Sequence, residues 1–156
     1  NVNKIRTHGD YHLGQILVLE NDIVIFDFEG EPLLPISERK LKKCCFHDVA
    51  GMIRSFHYAA ITSLNKQEIV SNEGYRTMPS IWYKTITSQF LKTYLDTIDG
   101  KNKLVPNNPE ELKILVDVYL MSKAINELNY ELNTRPEWIS IPLKGILMLS
   151  EEICYV

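Results

Sequence analysis

Three polar side chains near the start of the chain have types and spacings that suit phosphoryl transfer. Asp10 lies in the segment "HGDYHLGQ", Gln15 follows five positions later, and Asp27 follows Gln15 by twelve positions, after two apolar runs. Phosphoryl transfer needs a carboxylate that orients or accepts the proton of the acceptor hydroxyl, together with oxygen ligands for Mg²⁺ on the nucleotide phosphates. Kinase-type sites supply a loop aspartate, an amide about five residues on, and an aspartate at the end of the following hairpin. Asp10, Gln15 and Asp27 fit these three places.

Two other interpretations of the same loop remain open. His8, Asp10 and His12 alternate along it and could be ligands of zinc or iron, but the two remaining histidines of the chain lie in a predicted helix and form no second ligand pair. Asn, Asp, His and Gly are also common in turns, so the loop is consistent with a plain turn. In that case the spacing of the three polar residues would be a coincidence.

A short β-hairpin and about four helices are expected to position these residues. The runs "ILVL" and "IVIFDF" flank "END", which predicts a hairpin whose second strand ends at Asp27. The Pro- and charge-rich segment "PLLPISERKLKK" is interpreted as a connection. Apolar residues at three- and four-residue spacings predict helices over about 47–64, 80–98, 109–133 and 143–153. The predicted fold class is therefore α+β, mainly α.

Local signals refine the helix assignments. Asp48 lies in the first turn of the first helix, where a carboxylate suits the helix dipole. Asn108 is the predicted N-cap of the third helix, with Pro109 at its first position. The second helix is expected to stop at Asp99 and Gly100. The expected apolar faces are Val49, Met52, Ile53, Phe56 and Ala60 in the first helix and Ile81, Ile86, Phe90, Tyr94 and Ile98 in the second.

The apolar face of the third helix becomes polar along its length. A helical projection of about 100° per residue places Lys123, Glu127, Tyr130 and Glu131 on or beside the arc that apolar residues occupy over 112–120. Buried charges are costly unless they are paired or face a wet cavity. The pattern predicts either a polar pocket suited to a sugar, or a solvated face that carries a Lys123–Glu127 pair at i,i+4.

Composition excludes several classes of function. The chain has 156 residues with 45% hydrophobic content, which predicts one domain, and its net charge of −3 gives little support for a nucleic-acid or membrane-surface role. No apolar run approaches the about 20 residues of a membrane span. Cys44, Cys45 and Cys154 lack zinc-type spacing and are interpreted as free thiols in a reducing compartment, which predicts a cytoplasmic protein.

Four segments, "HGDYHLGQ", "DFEGEP", "DVAGMIRSFHYAA" and "YELNTRPEWISIPLKGI", occur in this order between about Arg6 and Ile146. Together they resemble the C-terminal lobe of maltokinases, including the maltokinase domain that is fused to trehalose synthase in some bacteria. "HGD" alone is shared with aminoglycoside phosphotransferases and related small-molecule kinases. The resemblance implies an aminoglycoside-phosphotransferase-like kinase fold and the reaction of ATP with maltose to give maltose 1-phosphate and ADP, within trehalose and maltose conversion to glycogen-type glucans.

The resemblance also implies roles for individual residues in the loop and hairpin. Asp10 would be the catalytic base, and Gln15 with Asp27 would hold Mg²⁺ against the phosphates of ATP. His8 would brace the loop, and Asp48 would support the loop from the start of the first helix.

The acceptor sugar would lie against the third helix. The resemblance places its contacts at Lys123, Glu127, Tyr130 and Glu131, with His12 near the acceptor. The chain departs from the family at Asn126, where a tyrosine is common.

The resemblance covers one lobe only. Residues 1–156 are expected to form the catalytic and acceptor-binding lobe of a longer protein, without the N-terminal nucleotide-binding lobe, so the chain alone is expected to be inactive. The alternatives are a related kinase for another sugar or an aminoglycoside, and a degenerate carbohydrate-binding lobe attached to a trehalose synthase.

Overall fold

The predicted hairpin follows the loop of Asp10. The computed structural model describes residues 2–64, 77–98 and 103–153. A 3₁₀ turn, Leu13–Gln15, leads into β1 (Ile16–Val18), which pairs antiparallel with β2 (Ile23–Ile25). The register places Ile16 opposite Ile25, Leu17 opposite Val24 and Val18 opposite Ile23. The hairpin prediction is confirmed, although β2 ends two residues before Asp27, at which the backbone takes a positive φ of 65° and leaves the strand.

The Pro-rich connection contains one helical turn that the sequence pattern did not predict. This turn, α1, spans Ile36–Arg39. The Arg39 side chain holds it, because Nε donates to the carbonyl of Leu34 over 2.7 Å and Nη2 donates to the carbonyl of Pro32 over 2.6 Å. A helix of four residues is too short to produce an apolar period.

Four long helices follow in the predicted order. They are α2 (Phe46–Leu64), α3 (Met78–Ile98), α4 (Pro109–Thr134) and α5 (Ser140–Ile153). α2 packs against α3, α4 and α5, and α4 also packs against α5. The α+β, mainly α prediction is confirmed. The stop expected at Asp99 and Gly100 lies outside the described residues.

The apolar faces agree with the prediction in α2 and only in part in α3. All five residues expected in the core from α2 are buried, at 7% exposure or less. In α3, Phe90 and Tyr94 pack against the core, whereas Ile81 is 55% exposed. Ile81 is nine residues from Phe90, which is about 180° around the helix. The expectation for Ile81 was therefore wrong.

The caps of α4 explain its bounds. Asn108 Oδ1 accepts hydrogen bonds from the backbone N–H groups of Glu110 (2.8 Å) and Glu111 (3.4 Å), as an N-cap does. Pro136 follows the C-cap, Arg135, and opens a 3₁₀ turn, Pro136–Trp138, that leads into α5. Because proline has no N–H group and disfavours a helical residue before it, the long helix ends here.

Two cysteines precede α2. Cys44 and Cys45 are buried free thiols, as expected, and Cys154 lies outside the described residues. Within the described ranges, none of the helices is long and apolar enough to cross a bilayer.

Candidate functional site

Asp48 holds the loop of Asp10 against the start of α2. Its carboxylate accepts two backbone hydrogen bonds, from the N–H of His8 (2.6 Å) to Oδ2 and from the N–H of Gly9 (2.9 Å) to Oδ1. Burial raises the pKa of Asp48, but the His47 imidazole and the two N–H donors outweigh it and hold that pKa below its ordinary value. A carboxylate at the first turn of a helix also suits the helix dipole. The residue expected to support the loop therefore contacts it directly.

The His8 side chain ties the same loop to the end of the hairpin. Its Nδ1 accepts a hydrogen bond from the backbone N–H of Asp10 (3.3 Å), which leaves the proton on Nε2, and Nε2 donates to the carbonyl of Phe26 (2.8 Å). His8 is buried, at 5% exposure. Because both ring nitrogens serve backbone groups, His8 braces the loop and is not available as a metal ligand.

Two glycines allow the loop and the hairpin exit to approach each other. Gly9 has φ 90° and Gly30 has φ 84°, values that residues with a side chain rarely adopt. A Cβ atom at Gly9 would lie 2.9 Å from the Cα of Gly30. The close approach brings the Asp10 loop beside the "DFEGEP" segment.

Asp10 lies between an imidazole and an ammonium group. His12 Nε2 is 3.7 Å from Asp10 Oδ2, and Lys123 Nζ is 3.8 Å from Asp10 Oδ1. The contact with His12 and the charge of Lys123 outweigh burial, so the pKa of Asp10 lies below its ordinary value. His12 is otherwise occupied as a cap, since its Nδ1 accepts a hydrogen bond from the Gly14 N–H (3.0 Å). Asp10 is thus ionised at neutral pH and able to accept a hydrogen bond from a hydroxyl group.

Gln15 and Asp27, the two residues predicted to hold Mg²⁺, contact each other. Gln15 is buried, and its Nε2 donates to Asp27 Oδ2 over 2.9 Å. Asp27 has a positive φ of 65°, which is uncommon for a residue with a side chain and occurs often at functional sites. The pair offers amide and carboxylate oxygens, the donor set that Mg²⁺ prefers. Among the described residues, no group of three or more His, Cys, Asp or Glu side chains has metal-binding geometry.

Lys123 and Glu127 do not form the i,i+4 pair that was considered from the sequence. Lys123 Nζ lies 3.7 Å from Glu31 Oε2, in addition to its contact with Asp10, whereas Glu127 pairs with Arg54 of α2. The reason is that carboxylates and a guanidinium on other segments offer closer partners than the next turn of the same helix. Lys123 consequently faces the Asp10 loop.

Glu131 is more deeply buried than an open acceptor contact would be. Its side chain is 2% exposed and accepts hydrogen bonds from Arg135 Nε (2.9 Å) and Nη2 (2.8 Å) and from the Tyr58 hydroxyl (3.1 Å). The Arg135 guanidinium lies 5.3 Å from the ring centre of Tyr130 and 5.1 Å from that of Trp138. These contacts form a cluster at the C-terminal end of α4 in which Tyr130 is 40% exposed.

Several members of this region were missed from the sequence. Arg54, Tyr58 and Arg135 contact residues predicted to bind the acceptor, and Trp138 contacts Arg135. The segment "TRPEW" was used only as part of a resemblance and as a helix break. Its arginine and tryptophan, next to an amphipathic helix that turns polar, are the signal that could have indicated the cluster.

The chain is similar in sequence to two curated sugar kinases. No protein-family model matches the chain. In sequence it is 26% identical over 145 residues to a glucosamine kinase of Mycolicibacterium smegmatis, covering 93% of this chain and 34% of that protein. It is 25% identical over 138 residues to a glucosamine kinase of Streptacidiphilus jiangxiensis, covering 88% of this chain and 30% of that protein.

Solved structures agree with these sequence matches. A glucosamine kinase in complex with glucosamine, ADP and inorganic phosphate superposes with a TM-score of 0.83 at 22% identity, over 97% of this chain and 36% of that one. A second crystal form of a glucosamine kinase gives a TM-score of 0.81 at 23% identity, over 96% of this chain and 34% of that one. The chain shares the fold of part of the glucosamine kinases. It is similar to sugar kinases, and it spans about a third of the length of the curated relatives it matches.

Proposed function

We propose that the chain is the catalytic and acceptor-binding lobe of an ATP-dependent sugar kinase. The observation that carries the proposal is the position of Asp10. Its carboxylate lies 3.8 Å from Lys123 on α4, and its loop is bonded through His8 to the hairpin exit that precedes Asp27. The candidate base therefore lies between the helix proposed to bind the sugar and the residues proposed to bind the metal-nucleotide.

Each predicted site residue has a role in this proposal. Asp10 accepts the proton of the attacking hydroxyl, and Gln15 with Asp27 would hold Mg²⁺, which would supply neutralising charge to the phosphates of ATP. The proposed acceptor contacts are His12, Lys123, Glu127 and Tyr130, whereas Glu131, predicted as a fifth contact, lies buried behind them and holds Arg135 and Tyr58. Positioning and electrostatic stabilisation supply most of the rate in reactions of this type.

Glucosamine is the first acceptor to test, because the relatives in sequence and in structure carry that name. Maltose is the second, on the basis of the maltokinase resemblance of the "HGD", "DFEGEP" and "NTRPEW" segments. The proposal also requires a nucleotide-binding N-terminal lobe in the longer parent protein. Fusion of that parent to a trehalose synthase remains part of the proposal and is tested by its complete sequence.

The experiment measures sugar-dependent ADP formation by the parent protein with glucosamine, glucose and maltose in turn. General-base catalysis contributes about 10²–10⁴-fold, so Asp10→Asn is expected to lower kcat by that factor. The matched control is Asp96→Asn, the same change at an exposed position of α3, which should retain the wild-type rate. Undiminished activity of Asp10→Asn would contradict the proposal. Sugar binding without any ADP formation would instead favour a non-catalytic binding lobe.

A further inference from the structure

A buried arginine lies behind the face of α4 that is proposed to contact the acceptor, which we call the acceptor wall (Lys123, Glu127 and Tyr130). Arg54, on α2, is 2% exposed, and Nε donates a hydrogen bond to Glu127 Oε2 over 2.8 Å. Nη2 lies 2.8 Å from the same oxygen, in an ion-pair contact that lacks hydrogen-bond geometry. Nη1 donates to His57 Nδ1 over 3.0 Å. The guanidinium is thus held from two sides.

Burial of the Arg54 guanidinium is energetically unfavourable, and two of its neighbours are small or neutral where they contact it. Burial of a charge is unfavourable unless it is paired, and among the residues that the structure describes Glu127 is the one carboxylate in contact with Arg54. Gly145 of α5 lies against the guanidinium so closely that a Cβ atom would overlap with it. His57 must stay neutral to accept the hydrogen bond from Nη1, and burial together with the charges of Arg54 and Lys144 lowers the pKa of His57 to about 4. Residues of three helices therefore accommodate the Arg54 side chain: His57 of α2, Glu127 of α4 and Gly145 of α5.

The contacts of Arg54 leave one oxygen of Glu127 for another partner. Both contacts reach Oε2, and the Glu127 side chain retains 15% exposure. A hydroxyl or ammonium group of an acceptor could therefore donate to Oε1. A carboxylate accepts such a bond more strongly than a protonated acid, because charge-assisted hydrogen bonds are roughly twice as strong.

We infer that Arg54 is a positioning residue, which keeps Glu127 ionised and orients its Oε1 toward the acceptor sugar. The inference rests on the proposed function, and it adds a residue that does not itself touch the substrate.

Other charges act on Glu127 as well. Arg54 and Tyr58 face it from α2, and Lys123 and Glu131 from its own helix. Burial raises the pKa of Glu127 and is the largest influence on it, so the pKa lies above its ordinary value; Arg54 is the largest influence that lowers it, Lys123 lowers it less, and Glu131 raises it further. Since an opposite charge within contact distance lowers the pKa of a carboxyl group, loss of Arg54 should raise the pKa of Glu127 further.

The test is the pH dependence of the acceptor KM in the parent protein, measured with ATP and glucosamine, and again with maltose. In Arg54→Met, Glu127 should take up a proton at higher pH. The KM should then rise about 10-fold or more at low pH, recover as pH increases, and show its midpoint shifted upward. Titration of the acceptor amine is common to all variants and cancels in the comparison.

Three further variants separate this role from a merely structural one. Arg54→Lys keeps the charge, so its KM should rise while its midpoint stays near that of the wild type. Glu127→Gln cannot titrate, so adding Arg54→Met to it should produce no further shift. Lys92→Met removes an exposed cation on α3 and should leave the profile unchanged.

The outcomes are distinct. If the Arg54→Met profile overlays the wild-type profile, or if the shift persists in the Glu127→Gln background, the inference is overturned while the proposed function stands. If the parent forms no ADP with any sugar, both fail. If Arg54→Met does not fold, Arg54→Lys decides, and a wild-type KM in that variant overturns the inference.

Discussion

Replacement of Asp48 tests how firmly the loop of Asp10 is held. One carboxylate accepts the N–H groups of His8 and Gly9, over 2.6 and 2.9 Å. A hydrogen bond to a charged group contributes about 1.5–3 kcal/mol, so two contribute about 3–6 kcal/mol. The carboxylate is 19% exposed, so in the variant water can reach the two N–H groups and compensates for part of the lost hydrogen bonding. We therefore expect Asp48→Ala to lower the free energy of unfolding by about 2–4 kcal/mol.

The isosteric variant Asp48→Asn should lose about half as much, about 1–2 kcal/mol, because one side-chain oxygen still accepts while the amide group opposes the second N–H. The effect should also depend on pH. Since the pKa of Asp48 is lowered in the folded state, its stabilisation is complete above the unfolded value of about 3.9 and is lost as pH falls through the folded value. The difference between wild type and Asp48→Asn should therefore shrink below about pH 4.

Urea denaturation followed by circular dichroism measures both effects, at neutral pH and in a series toward acid. Asp96→Asn, an exposed change on α3, is the control and should stay within about 0.5 kcal/mol of the wild type. If Asp48→Ala is no less stable than this control, the two hydrogen bonds do not hold the loop and the argument from geometry is wrong.

Two other substitutions probe the fold with the same assay. Gly9→Ala should cost about 2 kcal/mol, because φ at Gly9 is 90° and the new Cβ would lie 2.9 Å from the Cα of Gly30; unchanged stability would contradict the close approach. The pKa of His57 is about 4 in the folded state and about 6.5 in the unfolded chain, so the wild type should lose up to about 1.4 kcal/mol of unfolding free energy for each unit by which the pH falls between these values. His57→Gln should remove that slope, and an equal slope in both proteins would show that His57 is not its source.

Signals confined to a few neighbouring residues were sufficient to predict much of the fold. The hairpin follows from two β-branched runs around a polar turn, and Asn108 with Pro109 locates the start of α4 to the residue. The proximity of Gln15 and Asp27 could also be predicted, because a hairpin returns the chain to the residues that precede it. In each case the contact depends on short segments whose geometry is regular.

Contacts between distant helices could not be predicted from the sequence in the same way. Arg54 and Glu127 are 73 residues apart, as are Tyr58 and Glu131. Periodicity indicates which face of α4 is turned inward, but it does not indicate which charge another helix places across from that face. The local sequence offered Lys123 as the partner of Glu127, and the tertiary structure provides Arg54 in its place.

Both halves of the candidate site are fastened to α2. Asp48, in its first turn, holds the Asp10 loop, and Arg54, six residues later, holds Glu127. Because both residues lie on one rigid helix, that helix sets the distance between Asp10 and the acceptor wall. An insertion or deletion of one residue between them would rotate one attachment relative to the other by about 100°. The length of this six-residue interval is under a constraint that neither contact would impose alone.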